Sequence, residues 1–319
     1  MILITGCAGF IGFHVANFFL DAGVKIIGID NINDYYDVKH KYQRLKILNK
    51  RKNFKFFKLD LKKKNSFNKL KSFKTKINYI IHLAGQAGVR YSLKNPASYI
   101  KNNIEAYIYL VEYFKKQKNL KMILYASSSS IYGEEIKSKS RKINKMISVY
   151  AVSKKTLENI SEVYHKIYGM NFIGMRFFTV YGPFGRPDMS IFKFFNNISK
   201  NKPIDVYNYG NHSRSFTYIS DIVENINKIL LYTKKRKAKN ICKVINIGNP
   251  KSVNLNYVIA LIGKYFNKKT KRKLLPLQTG DIVKTKAVMT KEIKEYNFTF
   301  KVNIKQGIHN FASWFFNEK

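Results

Sequence analysis

Cysteine is almost absent: Cys7 and Cys242 are the only two among 319 residues. Their separation fits neither a metal knuckle nor a C-x-x-C redox pair, so both are expected to be reduced thiols, buried or partly buried. Long apolar runs are missing too. Lysine or asparagine interrupts each one before it reaches the roughly 20 residues that a membrane-spanning helix needs, so no membrane partner is expected. The opening Met1-Ile2-Leu3-Ile4-Thr5 carries no basic leader before Gly6, which predicts a cytoplasmic protein. Acidic residues are few, 19 Asp+Glu against 59 Lys+Arg, and the formal charge is +40. A charge of that size suggests a nucleic-acid binder. The lysines, however, are scattered from Lys39 to Lys305 and do not gather into one basic arm. Lys, Asn, Ile, Phe and Tyr are abundant while Gly, Pro and Ala are sparse, as an AT-rich genome would give. The charge reads as compositional drift: it predicts nonspecific attraction to polyanions and no specific nucleic-acid partner.

What is present begins at the first residues. Residues 2–5 form a short apolar run of the buried parallel-strand type. Gly6, Gly9 and Gly12 follow, opening a helical pattern from Ile11 through Leu20. Glycines let the backbone turn tightly and approach a pyrophosphate resting on the helix N-terminus. A second strand, Lys25 to Ile29, ends at Asp30. An acid there hydrogen-bonds the adenosine ribose and repels a 2′-phosphate, which predicts NAD over NADP. Residues 34–53 read as a polar, basic helix, Phe54 to Leu59 as a third strand ending near Asp60 and Leu61 (an adenine contact), and Tyr79 to His82 as a fourth, delivering Leu83-Ala84-Gly85 beside the cofactor. His82, at a strand end, reads as structural. Pro96 opens a helix of about twenty residues ending near Gln117; Lys121 to Ala126 is a fifth strand and Asn171 to Arg176 a sixth. Residues 134–148 and 234–239 read as polar, solvated loops.

This alternation predicts an α/β fold: a doubly wound parallel (Rossmann) sheet with a smaller C-terminal mixed α/β substrate-binding region. The NAD-binding domain is expected over 1–178. Residues 179–319 are expected to hold mostly the substrate, with some segments returning to the sheet. The mixed region contains Ile204 to Tyr207, a helix near Asp221 to Tyr232, Lys243 to Ile247 and a helix near Leu255 to Phe266.

Within the NAD-binding domain lies Tyr150-Ala151-Val152-Ser153-Lys154, at the start of a helix from Val149 to Tyr168. Tyrosine and lysine four apart share one helix face. An ammonium near a phenol favours the phenolate, which draws the tyrosine from a pKa of about 10 towards the range of a general base. The hydroxyl run Ser127 to Ser130 lies upstream. Glycines, hydroxyls, tyrosine and lysine together read as a redox site.

In this order, and with Arg214 beyond them, these motifs resemble the extended short-chain dehydrogenase/reductase family of nucleotide-sugar epimerases and dehydratases. The likeness is greatest to the branch acting at C4 of UDP-glucuronate. It covers the whole length and rests on long strings: residues 30–37 (DNINDYYD), 82–92 (HLAGQAGVRYS), 176–189 (RFFTVYGPFGRPDM) and 203–210 (PIDVYNYG). The resemblance implies catalytic roles for Ser128 on the sugar's 4-oxygen, Tyr150 as base and Lys154 as the group that tunes it. It implies an NAD site lined by Gly6, Gly9, Phe10, Ile11, Gly12, Asp30, Asn31, Asp60, Leu61, Leu83, Ala84, Gly85, Asn103, Tyr150 and Lys154. It implies sugar-nucleotide contacts from Arg90, Ser128, Val206, Arg214 and Asp281, and a carboxylate pocket of Ser129, Ser130, Thr179 and Arg186. A guanidinium suits a carboxylate because it grips through two parallel hydrogen bonds. No metal is implied, and a homodimer through the helices from Pro96 and Val149 is.

The implied activity is inversion at C4 of a UDP-hexuronate through a 4-keto sugar, for surface-polysaccharide precursors. Relatives that decarboxylate or dehydrate carry acids just after the catalytic hydroxyl, where this chain has Ser129 and Ser130. The alternatives are epimerisation of UDP-glucose, where Arg186 would lack a charge partner, and a nucleotide-sensing or RNA-binding protein without catalysis. Four positions depart from the family pattern: Ser215 and Val288 replace aspartates, Ser220 a second acid, and Thr279 a proline. All bear on the nucleotide pocket and none on the hydride path.

Overall fold

The computed structural model describes residues 1–133, 145–235, 240–267 and 270–317. Most of the stretches read as loops at 134–148 and 234–239 lie outside those residues. In chain order the elements begin β1 (Ile2–Thr5), α1 (Phe10–Asp21), β2 (Ile26–Asp30), α2 (Lys39–Asn49), β3 (Phe54–Lys58), β4 (Tyr79–His82), α3 (Val89–Lys94) and α4 (Pro96–Tyr99). A π-helical segment, Ile100–Glu105, joins α4 to α5 (Ala106–Phe114), followed by β5 (Met122–Ser128), α6 (Val149–Tyr168) and β6 (Phe172–Phe177). Then come β7 (Thr179–Tyr181), α7 (Ser190–Ser199), β8 (Ile204–Tyr207), β9 (Ser213–Arg214), β10 (Phe216–Tyr218), α8 (Ile219–Lys235) and β11 (Cys242–Ile247). The last are β12 (Val253–Asn254), α9 (Leu255–Lys264), β13 (Arg272–Leu275), α10 (Thr290–Tyr296) and α11 (Ile304–Asn317).

Seven strands form one sheet in the order β11-β6-β5-β4-β1-β2-β3. Its β1–β2, β1–β4, β2–β3 and β4–β5 pairings are parallel. The central strands are apolar without alternation, β1 and β2 being buried at every residue, because helices cover both faces of such a sheet. Leu3, Ile80, Ile123 and Tyr125 from the strands pack with Tyr107, Leu110 and Phe114 of α5 and Leu157 of α6.

The chain divides into two compact units. The first is Met1–Ile131, Ser148–Arg176 and Leu230–Ile245; the second is Tyr132–Ile147, Phe177–Ile229 and Asn246–Lys319. Lys243 to Ile247, which follows the start of the smaller region in sequence, is a segment that returns to the large sheet, as its outermost strand beside β6. Its Ile245 and Ile247 are buried there. The second unit holds three two-stranded pairs, β10–β7, β12–β9 and β13–β8. Phe195, Phe311 and Phe315 interlock between α7 and α11, with ring centroids 4.8–6.3 Å apart.

The helix expected to run unbroken from Pro96 becomes π-helical at Ile100–Glu105. Asn103, buried inside this segment, explains the change: its Oδ1 accepts from the Gln86 N–H at 2.6 Å, and its Nδ2 donates to the Gln86 carbonyl and to Ser153 Oγ. A wider turn delivers that amide to two neighbours at once, and π turns of this kind recur at functional sites.

Candidate active site

α6 has the bounds its sequence encodes. Ser148 Oγ accepts from the Ala151 N–H at the start, and Gly169 takes the left-handed conformation (φ 63) at the end. Tyr150, Lys154 and Glu158 stand one turn apart along it. Lys154 is buried, and its ammonium donates to the Ala126 carbonyl at 2.8 Å. Burial lowers its pKa from 10.5 to about 8. The Tyr150 ring meets the buried Tyr99 edge to face, 6.0 Å between centroids. Ser128, the last residue of β5, is buried; its Oγ accepts from the Ser130 N–H and donates to Ser130 Oγ, both at 3.2 Å. Ser129 and Ser130 open a single 3-10 turn, and Arg90 is exposed on α3.

One group in this cluster went unnoticed in the sequence. Glu158 accepts from Ser127 Oγ at 2.7 Å and takes both Arg176 Nε and Nη2 at 2.8 Å, with Lys155 at 3.2 Å. Burial alone would push its carboxyl up, but Arg176, Ser127 and Lys155 together hold it below the ordinary glutamate value. Lys154 and Glu158 thereby tie two turns of α6 to consecutive residues of β5, Ala126 and Ser127. The signal was legible: the tyrosine–lysine spacing of four continues to a glutamate four residues further on.

The expected cofactor residues converge in the first unit. Gly6 turns with φ +74 and donates its N–H to the Ile29 carbonyl at 2.7 Å. A Cβ on Gly12 would lie 2.1 Å from the Gly6 carbonyl oxygen, and one on Gly6 2.8 Å from the Ala84 nitrogen, so the loop is a cradle only glycine permits. α1 starts after Gly9 without a side-chain cap, so the amides of its first turn, including Phe10 and Ile11, suit a pyrophosphate. Gly85 sits over the Asn103 amide and Lys154 Nζ, its built Cβ falling 2.8 and 3.5 Å from them. Asp30 is buried, each oxygen taking one backbone N–H, Ile32 at 2.9 Å and Ala8 at 3.1 Å. Burial raises its pKa, an effect opposed by the Lys41 charge, these two amides and Arg44. Ile32 has φ 54, rare for a β-branched residue, beside Asn31. Asp60 accepts from the Lys62 N–H at 3.1 Å next to the buried Leu61. These features fit NAD. His82 does not serve as acid or base: its Nδ1 lies 2.8 Å from the Thr5 hydroxyl, and burial, with the Lys154 charge, lowers its pKa to about 3.

The remaining residues lie in the second unit. Thr179 begins β7 and Val206 is buried in β8. Arg214 Nη2 donates to Asp281 Oδ1 and Nη1 to the Val283 carbonyl, both at 2.9 Å. The two expected nucleotide contacts are therefore paired with each other. Ser215, where an aspartate is usual, donates to the Asn249 carbonyl. Arg186 Nε and Nη2 donate to the two oxygens of Asp188 at 2.9 and 2.6 Å.

Known proteins resemble this chain in sequence and in fold. The model of the NAD dependent epimerase/dehydratase family matches residues 2–248. An uncharacterised protein of Methanocaldococcus jannaschii is 45% identical, covering all of this chain and 97% of its own length. A UDP-glucuronate 4-epimerase of Thermodesulfobacterium geofontis is 39% identical over 98% of this chain and 95% of that protein. The crystal structure of UDP-glucuronic acid 4-epimerase from Bacillus cereus, in complex with UDP-glucuronic acid and NAD, superposes with a TM-score of 0.91 at 29% identity, covering 100% and 99% of the two chains. On the family match and the full-length relatives alike, this chain belongs to the NAD dependent epimerase/dehydratase family.

Proposed function

We propose that the protein inverts C4 of UDP-glucuronate to give UDP-galacturonate, in the cytoplasm and for polysaccharide precursors. The observation that carries the reading is the buried Lys154, locked to Ala126 one turn from Tyr150 in the unit that holds the glycine cradle. The Tyr150 phenolate accepts the C4 hydroxyl proton while Ser128 hydrogen-bonds the 4-oxygen. NAD, when bound, would supply a hydride acceptor for C4 and a hydride donor for the other face of the 4-keto sugar. Tyr150 then returns the proton to the inverted hydroxyl. Ser129 and Ser130 cannot act as acid or base, which leaves the neighbouring β-keto acid intact. Thr179 and Arg186, with those two hydroxyls, are the carboxylate contacts; Arg90, Val206, Arg214 and Asp281 serve the nucleotide. The working form is a homodimer, a reading supported by exposed Val152, Val163, Ile167 and Tyr168 on α6 and Leu93 and Ile100 near α4. A one-chain mass by light scattering would sink that part.

The direct test is chromatography of purified protein incubated with UDP-glucuronate. UDP-galacturonate from wild type, with a strongly raised KM for Arg186→Ala, supports the assignment. Conversion of UDP-glucose but not of the acid would make the neutral sugar the substrate.

A pH profile checks the role of Lys154. Its folded pKa of about 8 lies below the ordinary 10.5, so its charge, and with it the support for a phenolate, is lost as pH rises through 8. Turnover should therefore fall on the alkaline side of pH 8. Between the two values the unfolded lysine still holds its proton, so this residue's contribution to stability rises with pH over the same window. A rate still flat at pH 9.5 would refute the assignment.

A further inference from the structure

Arg186, which the proposed reading assigns to the sugar carboxylate, already holds a carboxylate of its own chain. Asp188 takes its side-on edge, Nε and Nη2, in a two-point ion pair at 2.9 and 2.6 Å. A planar guanidinium has a second, end-on edge through Nη1 and Nη2, and fixing one edge fixes the direction of the other. The loop beneath is equally constrained. Gly185 donates its N–H to the Gly182 carbonyl and Met189 to that of Arg186. Phe184 holds a φ of 54, and its ring centroid lies 5.2 Å from that of Trp314, the chain's one tryptophan, at a tilt of 48°.

We propose that Asp188 is a positioning residue for substrate charge: it orients Arg186 so that the end-on edge meets the carboxylate of a UDP-hexuronate. The inference rests on the reading of Arg186 given above. Two effects of removing Asp188 oppose each other. Loss of a neighbouring anion makes the site more positive, which favours an acidic sugar. Loss of the anchor lets a side chain with several free torsions leave the productive direction. The lost anion lies within a Debye length of about 8 Å of a carboxylate on the other edge of Arg186, so this gain is not screened away, but it is only the relief of one repulsion across an intervening guanidinium. A misaimed guanidinium, by contrast, forfeits a two-point charged contact, so orientation wins.

The test compares wild type with Asp188→Asn, with Asp188→Glu as a second variant that keeps the charge on a longer arm. Trp314 fluorescence gives the affinity for UDP-glucuronate and for UDP without relying on turnover. For Asp188→Asn, both the dissociation constant and KM for UDP-glucuronate should rise about tenfold or more, kcat should change little, and UDP, which has no hexuronate carboxylate, should bind as to wild type. Asp188→Glu should fall between the two. If wild type binds UDP-glucuronate and Asp188→Asn binds it as tightly or more tightly, Asp188 does not orient the site, and the inference fails while the reading of Arg186 stands. If the variant loses UDP to the same degree, Asp188 acts on the fold, and the inference also fails. If wild type itself does not bind UDP-glucuronate, the reading of Arg186 falls and the inference goes with it.

Discussion

Tyr150→Phe should lower kcat for UDP-glucuronate by about 10³-fold, within the 10² to 10⁴ that a positioned general acid–base group contributes. The substitution removes one oxygen and keeps the ring. The edge-to-face contact with Tyr99 therefore survives, as do the Ser148 cap and the Lys154 contact with Ala126. Affinity for the sugar nucleotide and the melting temperature should stay close to wild type. Such a split between kcat and binding marks a group that acts only on the reacting proton. A variant retaining a tenth of wild-type kcat would show that another base serves C4 and that Tyr150 is not the group that moves the proton.

The largest expected loss of stability is at Glu158. Its side chain is 2% exposed, and its partner Arg176 is 11% exposed. Glu158→Ala leaves that guanidinium in the interior without its two-point partner and leaves Ser127 Oγ without its acceptor. Breaking a buried pair from one side costs about 3–5 kcal/mol, a large share of the roughly 5–15 kcal/mol that holds a typical fold. Urea denaturation should show the loss as a lower midpoint. The companion variant Glu158→Ala/Arg176→Met should recover much of it, because a buried pair replaced on both sides leaves no stranded charge. Equal losses for the single and double variants would mean that packing, not charge, is at stake there.

The fold was legible where the chain states its own punctuation. α6 begins at Ser148 and ends at Gly169, both visible as cap residues, and the sheet follows from apolar runs alternating with helical patterns. Less was legible wherever a side chain reaches across the chain. The π segment has an ordinary helical composition, and only the demand of Asn103 for Gln86 and Ser153, 17 and 50 residues away, reshapes it. The pairs Arg214–Asp281 and Glu158–Arg176 likewise join residues 67 and 18 apart. Sequence reading named Arg214 and Asp281 as neighbours of one ligand but not as partners of each other. Asp188 was hidden for the opposite reason: two positions from Arg186, it looked like part of a motif and not like a contact.

The interleaving of the two compact units carries a consequence for how the protein is made. The large sheet takes its outermost strand, β11, from residues that follow the second unit's Phe177–Ile229 stretch in the chain, and the first unit is complete only at Ile245. A nascent chain that has just emitted β6 exposes that strand as an open edge, with unpaired amides and carbonyls available to any other extended segment. At about 5–20 residues per second, synthesis needs several seconds to deliver the strand that closes it. During that interval the second unit's early segments must stay soluble beside an unfinished sheet.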